Sequence, residues 1–181
     1  MKRNKIITSI FLSAFAVLFL SSCEEFADQF AFDVDGQTIT FDMVAAPNPA
    51  GEFVYVTDLS DINLDSVINA QGVDPDAIQD ISFEEATIDI VGDGNFDAFG
   101  SVEAWLSASN MNDMLLASAD SIAEGAKQIP MQLATTSAKD ILDGTGYSFA
   151  LRGDLKQALE DTLVLKGTLK YKIKVSFVQA E

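Results

Sequence analysis

The sequence predicts an all-β protein: an antiparallel β-sandwich, immunoglobulin-like or jelly-roll-like, with seven to nine strands and two or three short helices. Short apolar runs are separated along the chain by turns rich in Gly, Asn, Asp and Pro, which is the pattern of an all-β fold. The last run alternates between apolar and polar residues over positions 163–177. That period of two is typical of a strand with one buried face.

The first strands of the predicted fold lie on both sides of a proline-rich break. Asp35 and Gly36 separate residues 31–34 from residues 37–41, and a two-residue Asp-Gly link between such runs predicts a β-hairpin. Pro47, Asn48, Pro49 and Gly51 then interrupt the chain. Residues 52–57, with Phe-Val-Tyr-Val at their centre, predict the next strand.

Three segments predict short helices. The spacing of apolar residues favours a helical turn over residues 64–68. Asp74 followed by Pro75 predicts a capped helix over about residues 75–80, because Asp is a good N-cap and proline suits the first helical position. Residues 136–142, which end before Gly144, predict a third short helix.

The middle of the chain predicts five strands. Residues 81–91 alternate, but the apolar positions change parity near Ala86. This change predicts either a β-bulge or a strand that is buried on different faces at its two ends. A turn at residues 92–95 follows. Further strands are predicted over residues 101–107, 114–119, 127–133 and 147–152.

The last strand carries lysines on one side. In residues 163–177, Leu, Tyr, Ile, Val and Phe share one parity, and four lysines lie on the other. Because such a strand would be unusually long, we expect a break or bend near Gly167. Two interpretations of the lysine face stay open: it borders the acidic part of the fold, or it is a solvated face that discourages pairing at an edge.

The N-terminal segment has the properties of a secretion signal. Lys2, Arg3 and Lys5 precede an uncharged, mainly apolar run over residues 6–20. As a helix, that run would be roughly 22 Å long, short of the ~30 Å hydrocarbon core of a membrane. This order of charges and apolar residues is typical of a cleaved signal peptide.

The end of this segment, Leu20-Ser21-Ser22-Cys23, resembles the lipobox of bacterial lipoproteins. The resemblance implies that a diacylglycerol is attached to the sulfur of Cys23, that the chain is cleaved before this residue, and that the new amine is usually acylated. We therefore expect a signal peptide over residues 1–22, a lipidated N-terminus and tether over 23–30, and a single sandwich domain over 31–181. Two or more acyl chains hold a protein stably at a membrane.

The acids after the cysteine bear on localisation. Glu24 and Glu25 resemble the surface-export signal of lipoproteins from Bacteroidota. This resemblance favours the outer membrane, with the cell surface ahead of the periplasmic face.

The charge distribution narrows the range of partners. The first 22 residues carry three of the 11 cations and no acid, so the remaining eight cations against 28 acids give a net charge of −20. Residues 24–126 contain no Lys or Arg. Nucleic acid is therefore not expected as a partner, because phosphate binding needs clustered cations. The acidic surface fits solubility, Ca²⁺ binding or docking to a basic partner.

Several catalytic chemistries are missing. The chain has no histidine, and Cys23 is its one cysteine, so catalytic triads and histidine metal sites are excluded. No catalytic residues are predicted, and we expect no enzyme. A glycoside hydrolase based on paired carboxylates is a weaker alternative.

One loop is a candidate calcium site. Asp93, Asn95 and Asp97 have the spacing that begins a calcium-binding loop. The resemblance to an EF-hand then fails, because Ala98 replaces its glycine and Ala104 its bidentate glutamate. A hairpin turn rich in Asx and Gly explains the same residues. No other cofactor is predicted.

These observations favour a membrane-anchored, non-catalytic binding or assembly subunit of the bacterial outer membrane, whose partner is another envelope protein. The alternative is a surface module that binds a glycan or Ca²⁺. Trp105, the single tryptophan, bears on the glycan alternative. We expect it in the core rather than on a glycan-binding face.

Overall fold

A computed structural model describes residues 31–59, 74–109, 111–134 and 145–176. These residues form nine strands and a single 3₁₀ turn, Pro75–Ala77. The strands are β1 Ala31–Ala45, β2 Gly51–Asp58, β3 Ile78–Val91, β4 Phe99–Ser109, β5 Met114–Ala119, β6 Gln128–Pro130, β7 Gln132–Leu133, β8 Thr145–Leu155 and β9 Leu163–Ser176. Within the described part of the chain, no helix is long and apolar enough to cross a membrane.

The strands form two antiparallel sheets that pack face to face, so the predicted all-β sandwich is confirmed. Sheet 1 has the order β1-β9-β3-β6, and sheet 2 has the order β2-β8-β4-β5-β7. Apart from the two-residue β7, the strands pair in a nested way: first with last, second with second last, and so on to β4 with β5. This nesting is the arrangement of a jelly roll. The strand order therefore overturns the immunoglobulin-like alternative. The sequence could not exclude that alternative, because alternation does not specify which strands pair.

One apolar core lies between the sheets. Sheet 1 contributes Phe41, Leu165, Ile173 and other inward side chains, and sheet 2 contributes Phe53 and Phe149. Aromatic rings join the two layers, since the centroids of Phe41 and Phe149 lie 4.4 Å apart. The core therefore uses the apolar parity of each strand, as the sequence pattern predicted.

The predicted Asp35-Gly36 hairpin is wrong. These residues lie inside β1, which pairs with β9 along its whole length. Val34 is opposite Ile173 and Gln37 is opposite Tyr171. Between these pairs β1 has two residues and β9 has one, so β1 forms a bulge there. Long-range pairing with β9 takes precedence over the local turn preference, because it pairs the backbone along most of β1 and brings Phe41, Met43 and Ala45 into the core.

The predicted break at Gly167 is also wrong. The pairing of β9 with both of its neighbours continues through this residue without a register shift. The ring of Phe41 lies where a Cβ on Gly167 would be. The glycine is thus explained by a close approach from the neighbouring strand rather than by a bend.

The helix predictions are partly wrong. Asp74 caps the chain as expected, since its Oδ1 accepts a hydrogen bond from the Asp76 N–H at 3.1 Å. The helix ends after one turn, because Ile78 already begins β3. The helices predicted over residues 64–68 and 136–142 lie outside the described residues.

Two predictions in the middle of the chain have different outcomes. Of the two alternatives near Ala86, the bulge is confirmed, because the register of β3 against β9 shifts between Phe83 and Glu85. The single strand predicted over residues 127–133 is wrong. Its two halves, β6 and β7, belong to different sheets, and the buried Met131 lies where the chain passes between them.

The lysine face of β9 borders acidic strands on both sides. Lys166 is opposite Asp42 of β1 and Asp89 of β3. Lys170 forms a salt bridge with Glu85. Because β9 is a central strand of sheet 1, the interpretation of its lysines as edge protection is wrong. Opposite charges across paired strands instead stabilise this outer face.

Candidate binding face around Trp105

Trp105 lies on the outer surface of sheet 2, so its predicted place in the core is wrong. Its neighbours along β4, Ala104 and Leu106, point inward and are buried. Alternation along the strand then turns the indole outward, where it is half-buried. Its cross-strand partner on β8 is the small Ala150. The indole therefore lies over the sheet rather than between the layers.

Arg152 covers the indole ring. Its guanidinium carbon lies 5.0 Å from the centroid of the Trp105 ring, within the range of a cation–π interaction. The two residues are diagonal neighbours, because Arg152 is opposite Glu103 and Ala150 is opposite Trp105. Diagonal positions are within reach of long side chains on one face of a sheet.

Acidic and hydroxyl groups hold both side chains in place. The indole Nε1–H donates to Glu103 Oε2 at 2.9 Å. Arg152 Nη2 donates to Asp113 Oδ2 at 2.5 Å. Asp113 Oδ1 also accepts a hydrogen bond from the Ser107 hydroxyl at 2.6 Å. These contacts order a long cationic side chain that would otherwise sample many rotamers.

The same contacts keep Asp113 ionised. The hydrogen bond from Ser107, and then that from Arg152, lower the pKa of the Asp113 carboxyl below its ordinary value. Both groups stay solvated, since the side chain of Arg152 is 35% exposed and that of Asp113 is 43% exposed. The pair therefore orders the surface and contributes little to global stability.

Two exposed valines lie beside this cluster on β2. Val54 is 60% exposed and Val56 is 62% exposed, and they are opposite Arg152 and Ala150 of β8. Together with the cluster they form one continuous surface, called here the Trp105 face. Its residues are Val54, Val56, Glu103, Trp105, Asp113 and Arg152.

The Trp105 face has a single cation among several acids. Arg152 is the one cation in the five strands of sheet 2, which also contain Glu52, Asp58, Glu103 and Asp154. The cationic Trp–Arg centre thus has an acidic rim. Sequence reasoning missed Arg152, Asp113 and Ser107 as site residues. The available signal was a lone arginine in a predicted strand, but its partner Asp113 is 39 positions away.

The candidate calcium residues lie elsewhere, in the turn between β3 and β4. The side-chain oxygen of Asn95 accepts a hydrogen bond from the Asp97 N–H at 3.0 Å. Asp97 Oδ1 accepts one from the Gly125 N–H at 2.6 Å. Asn95 and Asp97 thus form an Asx turn, which Asp97 ties to the loop that precedes β6. The predicted hairpin is wrong, because β3 and β4 belong to different sheets.

A polar cleft of about 480 Å³ opens beside this turn. Its walls include Asn95 and Asp97 from the turn, and Glu160 and Asp161 from the segment before β9. Asp93 is not part of this lining. Among the described residues, no group of three or more acidic, histidine or cysteine side chains is arranged to hold a metal ion. Cys23 lies outside the described residues.

Comparison with known proteins leaves the function open. No protein-family model and no curated protein sequence matches this chain. Among solved structures, the chain is similar to one from a cryo-EM structure of Mud crab tombus-like virus. The two are 9% identical with a TM-score of 0.30, over 83% of this chain and 91% of that chain. The fold assignment therefore rests on the strand order described above.

Proposed function

We propose that this protein is a lipid-anchored, non-catalytic binding or assembly subunit of the bacterial outer membrane. In this proposal Cys23 carries the lipid, and the Trp105 face binds another envelope protein. The resemblance of residues 20–23 to a lipobox supports the anchor. The observation that supports the binding role is the ordered Trp105–Arg152 pair on an outer sheet surface.

The composition of the face fits a protein partner. Tryptophan and arginine are enriched among the residues that dominate protein–protein binding energies, especially where neighbouring groups exclude water. Glu103 and Asp113 hold these two side chains in one geometry, so little conformational entropy would be lost on binding. The acidic rim favours a partner with basic residues around its contact area.

Membrane fractionation tests the anchor. In the proposal, wild-type protein sediments with membranes, and Cys23→Ala leaves a folded domain that does not. Recovery of the Cys23→Ala protein in the membrane fraction at the wild-type level would contradict the lipid anchor.

Cross-linking in intact cells tests the binding face. We expect wild-type protein to yield a defined envelope partner that Trp105→Ala loses. Val164→Ala is the matched control, because Val164 is exposed on the outer face of the other sheet. Equal yields of that partner from the Trp105→Ala and Val164→Ala proteins would exclude the Trp105 face.

Glycan binding is the second candidate, favoured by the position of an indole on an exposed face. Arg152 already lies over one face of the ring, which weakens this candidate because sugars stack on open aromatic faces. Titration of Trp105 fluorescence with a glycan panel would separate the two candidates. A saturable shift that Arg152→Ala strengthens would support sugar stacking, and an unchanged spectrum would exclude it.

A further inference from the structure

The edges of the two sheets are protected unequally. Free strand edges invite pairing with other chains, and proteins commonly blunt them with lysine, proline, bulges or short strands. β6 has three residues and ends in Pro130, and β7 has two residues. β1 has a bulge, and its Asp42 carbonyl accepts a hydrogen bond from the Thr57 hydroxyl.

β2 has none of these devices. It is eight residues long, contains no Lys or Pro, and pairs with β8 without a register shift. The described residues place no strand beyond it in sheet 2. Among the described edge strands, β2 is therefore the one that combines a length of eight residues with uninterrupted pairing.

The backbone of β2 presents hydrogen-bonding groups on its open side. Just after β2, Leu59 N–H donates to Tyr147 O at 2.8 Å, which fixes the phase of the β2–β8 ladder. Bonded pairs alternate in an antiparallel ladder, so the N–H and C=O groups of Val54 and Val56 point away from β8. At one end of this edge, Asn48 Nδ2 lies 3.5 Å from Glu52 O.

The side chains along this edge specify a pattern. The exposed valines Val54 and Val56 lie between two exposed acids, Glu52 and Asp58. A strand added here would place its side chains directly beside these four. β-branched residues suit positions beside the valines, and cations suit positions beside the acids.

We propose that β2 accepts an extended strand from a partner protein, with an apolar β-branched centre and a Lys or Arg on each side. This is recognition by strand addition, in which main-chain hydrogen bonds supply affinity and alternate side chains supply specificity. The inference rests on the proposed function in assuming a protein partner, and it states how that partner binds beside the Trp105 face.

Charge repulsion argues against pairing of β2 with a second copy of this chain. If β2 paired with β2 of a second copy in the register that joins Val54 to Val56, Glu52 would lie opposite Asp58 at both ends. Like charges directly opposite each other destabilise a pair of strands. The net charge of −17 for the whole chain adds long-range repulsion.

Hydrogen exchange with two synthetic peptides tests the proposal on the full-length chain in detergent. The probes are Lys-Thr-Val-Thr-Val-Thr-Lys and its counterpart with Glu at both ends. At a tenfold excess over the Kd, we expect the basic peptide to slow exchange within residues 51–58 about tenfold. The acidic peptide should have no effect. Protection confined to another segment, or equal protection by both peptides, would overturn the proposal.

Two substitutions at one position give the matched comparison. Val56→Pro removes an N–H on the open side and leaves the β8 ladder intact, whereas Val56→Thr keeps that N–H and the β-branched shape. We expect Val56→Thr to bind the basic peptide like the wild type and Val56→Pro to bind at least tenfold more weakly. Equal affinities would overturn strand addition. If Val56→Pro does not fold, the exchange experiment on the wild type still decides.

Three further outcomes also decide between these proposals. A dimer of the wild type, detected by sedimentation and absent in Val56→Pro, would identify a second copy as the occupant and overturn the proposal. Loss of the envelope partner in Trp105→Ala, with full binding retained in Val56→Pro, would leave the proposed function standing without strand addition. Loss in both variants supports both proposals.

Discussion

Gly167→Ala tests whether Gly167 loosens a long strand or makes room for the Phe41 ring. The two explanations predict opposite signs for the change in the free energy of unfolding. If Gly167 only loosened a long strand, alanine would stabilise the protein by about 0.5–1 kcal/mol, because glycine is unfavourable inside strands. In the structure, the new Cβ would overlap the Phe41 ring. Phe41 cannot move freely, since its ring packs against Phe149.

The expected size follows from these two effects. Forcing an extra carbon into a packed core costs about 1–3 kcal/mol, and the gain from removing glycine offsets part of that cost. We expect Gly167→Ala to lower the free energy of unfolding by about 1–2 kcal/mol. For a domain of this size, the Tm would fall by about 2–8 °C.

A double-mutant cycle shows whether Phe41 is the cause. Phe41→Leu shortens the side chain over Gly167, so the added methyl group should be tolerated in that background. We expect a coupling free energy of at least about 1 kcal/mol between the two substitutions, measured by urea denaturation. Stabilisation by Gly167→Ala in the wild type, or an equal cost in both backgrounds, would refute this reasoning.

Three further predictions concern polar groups. Tyr171→Phe should leave the free energy of unfolding unchanged or raise it by about 1 kcal/mol, as measured by urea denaturation. The reason is that the buried Tyr171 hydroxyl has no hydrogen-bond partner among the described residues. A large loss of stability would reveal such a partner. Asp113 has a lowered pKa in the folded protein, so its contribution is present above about pH 4 and is lost as the pH falls through the folded value. Because the pair is exposed to solvent, Asp113→Asn should change the acid limb of a plot of Tm against pH only slightly, and a large change would contradict this. Asp97→Ala should lower the free energy of unfolding by about 0.5–1.5 kcal/mol, because the exposed Gly125 N–H exchanges its carboxylate acceptor for water. The loss should be equal in Ca²⁺ and in chelator, and a loss confined to Ca²⁺ would instead assign a cation to this turn.

Predictions from local sequence were confirmed where a feature depends on residues close together in the chain. Parity identified the buried face of β9, and the change of parity near Ala86 identified a bulge. The Asp74 cap forms as expected, and Asn95 and Asp97 form an Asx turn. Each of these features depends on contacts within a few residues or on one buried face.

The errors have two causes: contacts between residues far apart in the chain, and a large side chain that was placed in the core against the parity of its strand. Asp35 and Gly36 would suit a hairpin, but β9 offers β1 a full-length partner. Trp105 looked like core because it is large and apolar, but the buried parity of β4 belongs to Ala104 and Leu106. The Arg152–Asp113 pair joins residues 39 positions apart, so no local pattern could indicate it.

The sequence by itself determined the all-β class, the buried parity of the main strands, the excess of acid and the absence of histidine. It also carries the lipobox-like residues that end at Cys23. Only the tertiary structure decided the nested strand order, the outward position of Trp105 and the open edge of β2. The physical reason is that alternation specifies which face of a strand is buried, whereas the choice of neighbour depends on which long-range pairing hydrogen-bonds and buries the most chain.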